Sequence, residues 1–440
     1  MMGIKLRPLE SDRRLVILGG LFWLAAISAP LVESDAYRYV TVALIVGMFL
    51  TRPPELDDLK HDWLSWLCMG WGVYAIGRFV ATYLLTPAHD AGSSELLYAF
   101  PLLFPLLGLA LWLYRAHIER VLAVFFVIAL ALLLVTTQYA TVLSGDRASP
   151  LIHNNPIHGA VGAGMVMIGA FYWFMYYLEK GFWQTRLSRL AAMTAPVIFA
   201  LCLFNIYGAK SKGVWLALSF ALPFLCFSLP FYINRKIGLT LAGAIGALVA
   251  LAAYMVRGNL WQTAGPTITA SSGMVNHDLA GTGLRALLSQ TIASPDTPIS
   301  MMERLKLWSN ALEVFSAAPV LGSGNSWLRL WHETRYGDIG YDLLHNGYFE
   351  IVIRHGLLGL GVLAVILGAF IHRVYRAYAE RLISKSAFLC YVATIGYLMV
   401  TLLSNSNNRL AIGESFFLMI GAVAFYCSES LLHDGRRIKS

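Results

Sequence analysis

The chain has 440 residues, of which 58% are hydrophobic and only 13% are charged. Its mean hydropathy is +0.62, which excludes an ordinary soluble domain and indicates a multi-pass helical membrane protein. The formal net charge of +8 lies mostly in short segments between apolar runs. It therefore does not indicate a nucleic-acid-binding surface, and no nucleic-acid partner is expected.

The apolar runs predict an all-α polytopic fold with about twelve transmembrane helices. They lie at residues 15–32, 36–50, 63–85, 96–113, 119–143, 156–178, 190–207, 213–229, 238–256, 353–372, 386–403 and 411–430. The first run follows four basic residues as a signal peptide would, but its length and the lack of a cleavage site favour an uncleaved helix.

The basic residues predict how this bundle is oriented. Twenty of the 33 fall in alternate connecting segments, which the positive-inside rule assigns to the cytoplasm together with both termini. The chain then divides into helices one to nine (1–256), a periplasmic loop domain (257–352), and helices ten to twelve with a cytoplasmic tail (353–440). Within the loop domain, residues 259–298 are predicted to be a loop and residues 301–315 a helix. A second helix is predicted to begin near residue 341 and to run through His345.

Metal and cofactor motifs are weak or missing. The five cysteines occupy apolar segments without a C-x-x-C pair. Glu33 and Asp35 have the spacing of an acidic metal motif, and His153 and His158 lie five residues apart, but each pair has too few ligands. We therefore predict no metal and no cofactor, and a loop that shapes a substrate site around the two histidines.

Several basic residues break the orientation rule by lying on the outer side, which suggests an anionic ligand there. The candidates for binding a diphosphate are Arg78, Arg147, Lys210, Lys212 and Arg304. The two lysines precede a predicted helix, whose free N–H groups also favour phosphate. Arg304 offers a planar guanidinium fork. Ordinary solvation of surface charges, or contact with lipid phosphate, is the alternative for each of them.

The densest polar cluster begins at His345 and ends at His355, directly before an apolar run. His345 can accept a proton near neutral pH, so it is the candidate catalytic base. Asn346 and Glu350 are candidates for contacting or orienting a substrate hydroxyl group. The alternative for Glu350 is an ordinary helix ion pair with Arg354, four residues on, and His355 is expected at the water interface.

These motifs resemble the O-antigen ligase family, which belongs to a superfamily with O-antigen polymerases and bacterial O-oligosaccharyltransferases. The most specific likeness is His345-Asn346, nine further residues, and the Gly-x-x-Gly of residues 356–359. The upstream pattern is matched by Arg304, Trp308, Pro319, the Gly-x-Gly of residues 322–324, and the Asn-Pro-Ile of residues 155–157. One departure is Ser211-Lys212-Gly213, where the family usually has Ser-Arg-Gly.

The resemblance implies a GT-C-like glycosyltransferase of the bacterial inner membrane. Such an enzyme moves a glycan from undecaprenyl diphosphate to lipid A–core oligosaccharide at the periplasmic face, with inversion and without metal. Its partners would be the lipid-linked O-antigen, the lipid A–core acceptor and membrane lipids. An O-antigen polymerase or a protein O-oligosaccharyltransferase would use the same chemistry. A flippase or transporter for lipid-linked glycans is the alternative from another class, but it needs a charged path, and only Arg78 lies well inside a predicted span.

Overall fold

The computed structural model describes residues 19–20, 23, 27–51, 62–85, 93–181, 185–278, 283–340 and 343–433. These residues form helices joined by turns, and the pairing of extended backbone within them is limited to one isolated parallel bridge between Val32 and Ile152. The α-helices, α1 to α16 in chain order, are Ala36–Thr51, Trp63–Leu85, Phe104–Tyr114, Ile118–Thr136, Tyr139–Leu143, Pro156–Lys180, Arg186–Gly208, Lys212–Ser228, Arg235–Met255, Arg257–Asp278, Leu284–Ala293, Ile299–Ala317, Trp327–His332, Gly347–Ala379, Lys385–Leu402 and Ala411–His433.

Nine helical stretches in the described part of the chain are long and apolar enough to cross a membrane. They confirm an all-helical, multi-pass protein. They do not confirm the predicted number of twelve spans or the GT-C class. The predicted spans 96–113 and 119–143 fall largely in one helical stretch, Leu97–Thr136, and α1 is a shorter apolar helix. Most of the predicted first span, 15–32, lies outside the described residues.

Two apolar clusters hold the bundle together. One joins α4, α6, α7, α8 and α15, and the other joins α1, α2, α3, α14, α15 and α16. Helix α6 can be nearly surrounded because small residues let its neighbours approach closely. A Cβ atom built at Gly162 would lie 2.0 Å from the carbonyl oxygen of Pro30, and one at Gly164 would lie 2.0 Å from the hydroxyl of Tyr397. Close packing through small residues is typical of membrane helices.

The segment between α9 and α14 is more helical than its composition suggests. The predicted loop at 259–298 is wrong, since α10 and α11 occupy most of it. Its hydroxyl side chains bond to carbonyls of the preceding turn, as Thr263 does to Asn259 at 2.9 Å, so they do not compete with the helix. Leu288 and Ile292 of α11 are buried against Leu305 of α12. Helix α12 confirms the predicted helix at 301–315.

Helix α14 begins at Gly347, so the prediction that it starts near residue 341 and contains His345 is wrong. The Asn346 side chain caps the start of α14 by accepting hydrogen bonds from the backbone N–H groups of Tyr348 (3.0 Å) and Phe349 (3.2 Å). His345 therefore lies just outside the helix, in the left-handed region with a φ of +49°.

A break at Gly356 divides α14 within the Gly-x-x-Gly motif. Its φ of 63° and ψ of −165° suit glycine alone, and a Cβ atom there would lie 2.1 Å from the carbonyl oxygen of Val320. The break frees two backbone N–H groups, and both are satisfied by the loop 318–324. Leu357 donates to Pro319 (2.9 Å) and Leu358 donates to Val320 (3.0 Å).

The loop 318–324 in turn relies on the Gly-x-Gly motif. Gly322 has a φ of +70°, and a Cβ atom there would lie 2.4 Å from the carbonyl carbon of Arg354. The N–H of Ser323 donates to the carbonyl of Ile353 at 2.7 Å. The two glycine motifs therefore fit against each other, backbone to backbone.

Candidate functional site

His345 lies half-buried at the junction of three helices. The titratable groups that influence its protonation are Arg304 of α12, Glu350 of α14 and His158 of α6. Burial lowers the pKa of His345 below its usual value, and the Arg304 charge and His158 lower it further, while Glu350 acts in the opposite direction. The imidazole is therefore mostly neutral at neutral pH and can accept a proton.

The peptide that leads into His345 is held by Glu350, whose side chain is completely buried. Its carboxylate accepts hydrogen bonds from the backbone N–H of Leu344 (3.0 Å) and the hydroxyl of Ser406 (2.8 Å). It also pairs with Arg354 at 2.5 Å and with Arg409 at 3.2 Å. The helix ion pair with Arg354 is thus formed, but in the interior rather than on a surface.

The Arg354 guanidinium is also fully buried and stacks 4.5 Å from the ring centre of Trp327. Asn346 fixes the other side of His345, because its Nδ2 donates to the carbonyl of Leu403 at 3.3 Å while its Oδ1 caps α14. The unusual backbone of His345 is therefore held from the Leu344 side and from the Asn346 side.

Arg304 lies close enough to His345 for its positive charge to lower the pKa of the imidazole. It is half-buried, and its guanidinium makes no hydrogen bond or ion pair with any of the described residues. Burial lowers the pKa of Arg304, but an arginine of this kind keeps its charge at physiological pH. A buried cation is normally paired, so this arrangement favours an anionic ligand at this position.

Lys212 is the first residue of α8, and its ammonium group donates to the hydroxyl of Thr267 on α10 at 2.7 Å. It lies close enough to Arg304 for the two charges to interact. We call Lys212 and Arg304 the cationic cluster. The start of α8 is pressed against the turn after α15, because a Cβ atom at Gly213 would lie 1.7 Å from the hydroxyl of Ser404.

Two other predicted cations bind backbone carbonyls instead of facing His345. The exposed Arg147 donates through Nε to the carbonyl of Ala209 at 3.2 Å. Lys210, which has a φ of +50°, donates through Nζ to the carbonyl of Gly145. Together they tie the turn after α5 to the turn between α7 and α8.

Arg78 of α2 supports the loop 318–324 in a similar way. Its two terminal nitrogens donate to the carbonyls of Leu321 and Gly322, each at 2.5 Å, and the nitrogen bonded to Leu321 also donates to the hydroxyl of Tyr74 at 2.7 Å. Of the five predicted diphosphate ligands, Lys212 and Arg304 are the two whose charges come together near His345.

The first turn of α6 adds His158, which the sequence analysis placed in a substrate-shaping loop but did not select as a catalytic or diphosphate-binding residue. His158 lies near enough to His345 to influence its protonation, and its Nδ1 is 3.6 Å from Glu33. Glu33 is fixed by the backbone N–H of Asn154 at 2.9 Å. Within the described ranges, no group of three or more His, Cys, Asp or Glu side chains could hold a metal ion together.

The expectation that His355 marks the water interface is wrong. Its side chain is buried among aromatic rings, with ring centres at 4.5 Å for Tyr98 and 5.2 Å for Trp71. Neither ring nitrogen finds a hydrogen-bond partner in the described part of the chain. The docked loop 318–324 covers this part of α14, which an apolar pattern alone does not reveal.

Comparison with known proteins agrees with these features. Residues 197–364 match the family model described as O-antigen ligase. The matched range contains the cationic cluster, His345 and both glycine motifs. The chain matches none of the curated proteins. The predicted resemblance is confirmed over this range, where residues 197–364 are similar to the O-antigen ligase family.

Proposed function

We propose that this protein is an O-antigen ligase. It transfers a glycan from undecaprenyl diphosphate to lipid A–core oligosaccharide at the periplasmic face of the bacterial inner membrane. The observation that carries the proposal is the neutral imidazole of His345 beside Arg304, a half-buried arginine without a counter-ion among the described residues. A base next to an anion site suits a poor nucleophile and an anionic leaving group.

The proposed reaction is a single displacement at the anomeric carbon of the donor sugar. His345 takes the proton from the acceptor hydroxyl as its oxygen forms the new bond. The bond between the anomeric carbon and the diphosphate oxygen breaks on the opposite face, which inverts the configuration. The diphosphate leaves as an anion, so it needs neutralisation rather than a proton, and the cationic cluster supplies it.

The remaining predicted residues are given supporting roles in this proposal. Asn346 and Glu350 orient His345 through the backbone on either side of it. Arg78, Arg147 and Lys210 add positive potential while they hold the loops that surround the site. Both termini are assigned to the cytoplasm, which is supported by the basic residues in alternate connecting segments.

The test is a strain lacking this protein, complemented with the wild type, His345→Ala or the matched control His332→Ala. His332 is an exposed histidine on α13, so its loss should have no effect. Lipopolysaccharide is separated on a gel, and the undecaprenyl-linked glycan is measured in the same cells. In the strain without the protein and in the His345→Ala strain, we expect lipid A–core that carries no O-antigen. Long glycan should accumulate on undecaprenyl diphosphate in the same cells.

Other outcomes would redirect the proposal. Core bearing a single repeat unit would indicate a polymerase. If the strain lacking this protein makes intact lipopolysaccharide but fails to glycosylate a protein that the complemented strain glycosylates, the result would indicate a protein O-oligosaccharyltransferase. Full ligation by His345→Ala would contradict the assignment of His345 as the base.

A further inference from the structure

A cavity of about 190 Å³ lies between α3, α14, α15 and α16. Its walls are almost entirely apolar, with Phe104, Leu363, Leu367 and Phe417 among them. Three of these helices belong to candidate membrane spans over their whole length, and α3 lies inside a fourth. Such walls suit a hydrocarbon chain and give no reason for water or a sugar to enter.

One end of the cavity reaches the catalytic turn. Tyr348, three residues beyond His345, lines it, and the Tyr348 hydroxyl donates to the carbonyl of Met399 at 2.9 Å. No described residue of α8 or α12 contributes to the wall. The cavity and the cationic cluster therefore approach His345 from different helices.

The cavity wall also contains a hydrogen-bond acceptor that lacks a donor among the described residues. Asn408 lines it and is only 2% exposed, and its Nδ2 donates to the carbonyl of Gly347 at 3.3 Å. Its Oδ1 has no partner in the described part of the chain. Glu414 also lines the cavity, and its carboxylate already accepts hydrogen bonds from Tyr37 (2.5 Å) and Arg38. A buried acceptor without a donor is unfavourable, so the Asn408 side-chain oxygen favours a ligand that carries a hydrogen-bond donor.

We propose that this cavity binds an acyl chain of the acceptor lipid, and that Asn408 Oδ1 accepts a hydrogen bond from an amide or hydroxyl group where that chain enters. This inference rests on the proposed transfer between two lipid-linked substrates. A polyprenyl chain carries no hydrogen-bond donor, and neither does an ester-linked acyl chain that lacks a hydroxyl group. The donor diphosphate is drawn to the cationic cluster instead, so the two lipids meet at His345 from separate sides.

Photolabelling of the full-length protein in lipid nanodiscs tests the occupant directly. The probe is a glucosamine lipid with an amide-linked acyl chain that carries a diazirine. We expect it to label α14 and α16 at the cavity walls. Replacing the amide by an ester should reduce the labelling several-fold, because the donor to Asn408 is lost.

Two further probes separate the alternatives. A polyprenyl diphosphate with the same diazirine should not label these walls, and a phosphatidylethanolamine probe should label them weakly. Strong labelling by either, or none by the glucosamine lipid, would overturn the proposal. Because labelling needs no turnover, it is informative even if the protein turns out not to transfer glycans, so the two proposals can fail separately.

A cavity-filling variant gives a kinetic test of the same idea. Ala364→Trp places a large ring at a wall residue of α14. We expect it to raise the KM for the acceptor lipid about tenfold and to leave the KM for the donor unchanged. Val365→Trp is the matched control, because Val365 is the next residue, is exposed and does not line the cavity. Equal effects of both variants, or a change in the donor KM alone, would contradict the proposal.

Discussion

The carboxylate of Glu350 accepts a hydrogen bond from the backbone N–H of Leu344 at 3.0 Å. A fully buried charge therefore holds the peptide that precedes His345. The same carboxylate is paired with Arg354 and Arg409, so the position of His345 is linked to an interior network of charges rather than to the flexible surface of the protein.

We expect Glu350→Gln to destabilise the protein by about 3–5 kcal/mol, since it removes the carboxylate that pairs with the buried Arg354 and the half-buried Arg409. The measurement is thermal unfolding of the detergent-solubilised protein. Glu333→Gln, at an exposed position on the surface, should leave the melting temperature unchanged. A Glu350→Gln protein as stable as the wild type would show that the network contributes little to folding.

Arg304→Ala should weaken the binding of undecaprenyl diphosphate by about 10- to 100-fold, because charge-assisted hydrogen bonds contribute roughly 1.5–3 kcal/mol each. Equilibrium binding of that lipid to the purified protein measures the effect. Arg329→Ala removes an exposed arginine of the neighbouring helix α13 and should bind normally. Unchanged binding by Arg304→Ala would remove the arginine from the diphosphate site.

Lys212→Arg should retain transfer activity, since it restores the Ser-Arg-Gly pattern and adds a guanidinium fork at the same place. Lys212→Ala should lose activity through a higher KM for the donor. The initial rate of glycan transfer in nanodiscs measures both. Loss of activity in the arginine variant would indicate that the contact of Lys212 with Thr267 matters more than its charge.

The pH dependence of kcat/KM should show an acidic limb below the ordinary histidine pKa of about 6.5, because burial and Arg304 lower the pKa of His345. Activity needs the neutral ring, so it is present above that pKa and is lost as the pH falls through it. Replacing Arg304 by Gln removes a charge that lowers the pKa, so the limb should move to higher pH. Arg329→Gln should leave it in place.

Gly356→Ala should destabilise the protein by about 1–3 kcal/mol from backbone strain alone, and by more because of the contact with Val320. Gly361→Ala lies in the same helix with open space around it, so it should be neutral or stabilising by up to about 1 kcal/mol. The measurement compares the melting temperatures of the Gly356→Ala and Gly361→Ala proteins in the same detergent. Equal values would show that the break at Gly356 is not required by the fold.

Much of the bundle follows from hydropathy, because lipid allows few solutions other than apolar helices. The predicted spans at 63–85, 156–178 and 386–403 lie within a few residues of α2, α6 and α15. The prediction of a loop at 259–298 was wrong because the polar composition of this segment does not indicate that α11 packs on α12.

The site was partly predictable for a similar reason. Arg304 and His345 could be selected from the sequence by residue type alone. In the structure the Arg304 charge does act on His345. The backbone partners of Arg78, Arg147 and Lys210 depend on how distant turns meet, which spacing in one sequence does not encode. The same applies to His158, which reaches the site because Glu33 and the loop before α6 pack together.

The backbone fit between the loop 318–324 and the break in α14 also bears on distance control. Helix α12, which carries Arg304, runs directly into that loop, and His345 directly precedes α14. Three backbone hydrogen bonds join the two segments where they cross. Arg304 and His345 are therefore carried by two segments that are joined through their backbones. We expect the separation of these two residues to be set by main-chain geometry and to change little when a side chain elsewhere in the bundle is replaced.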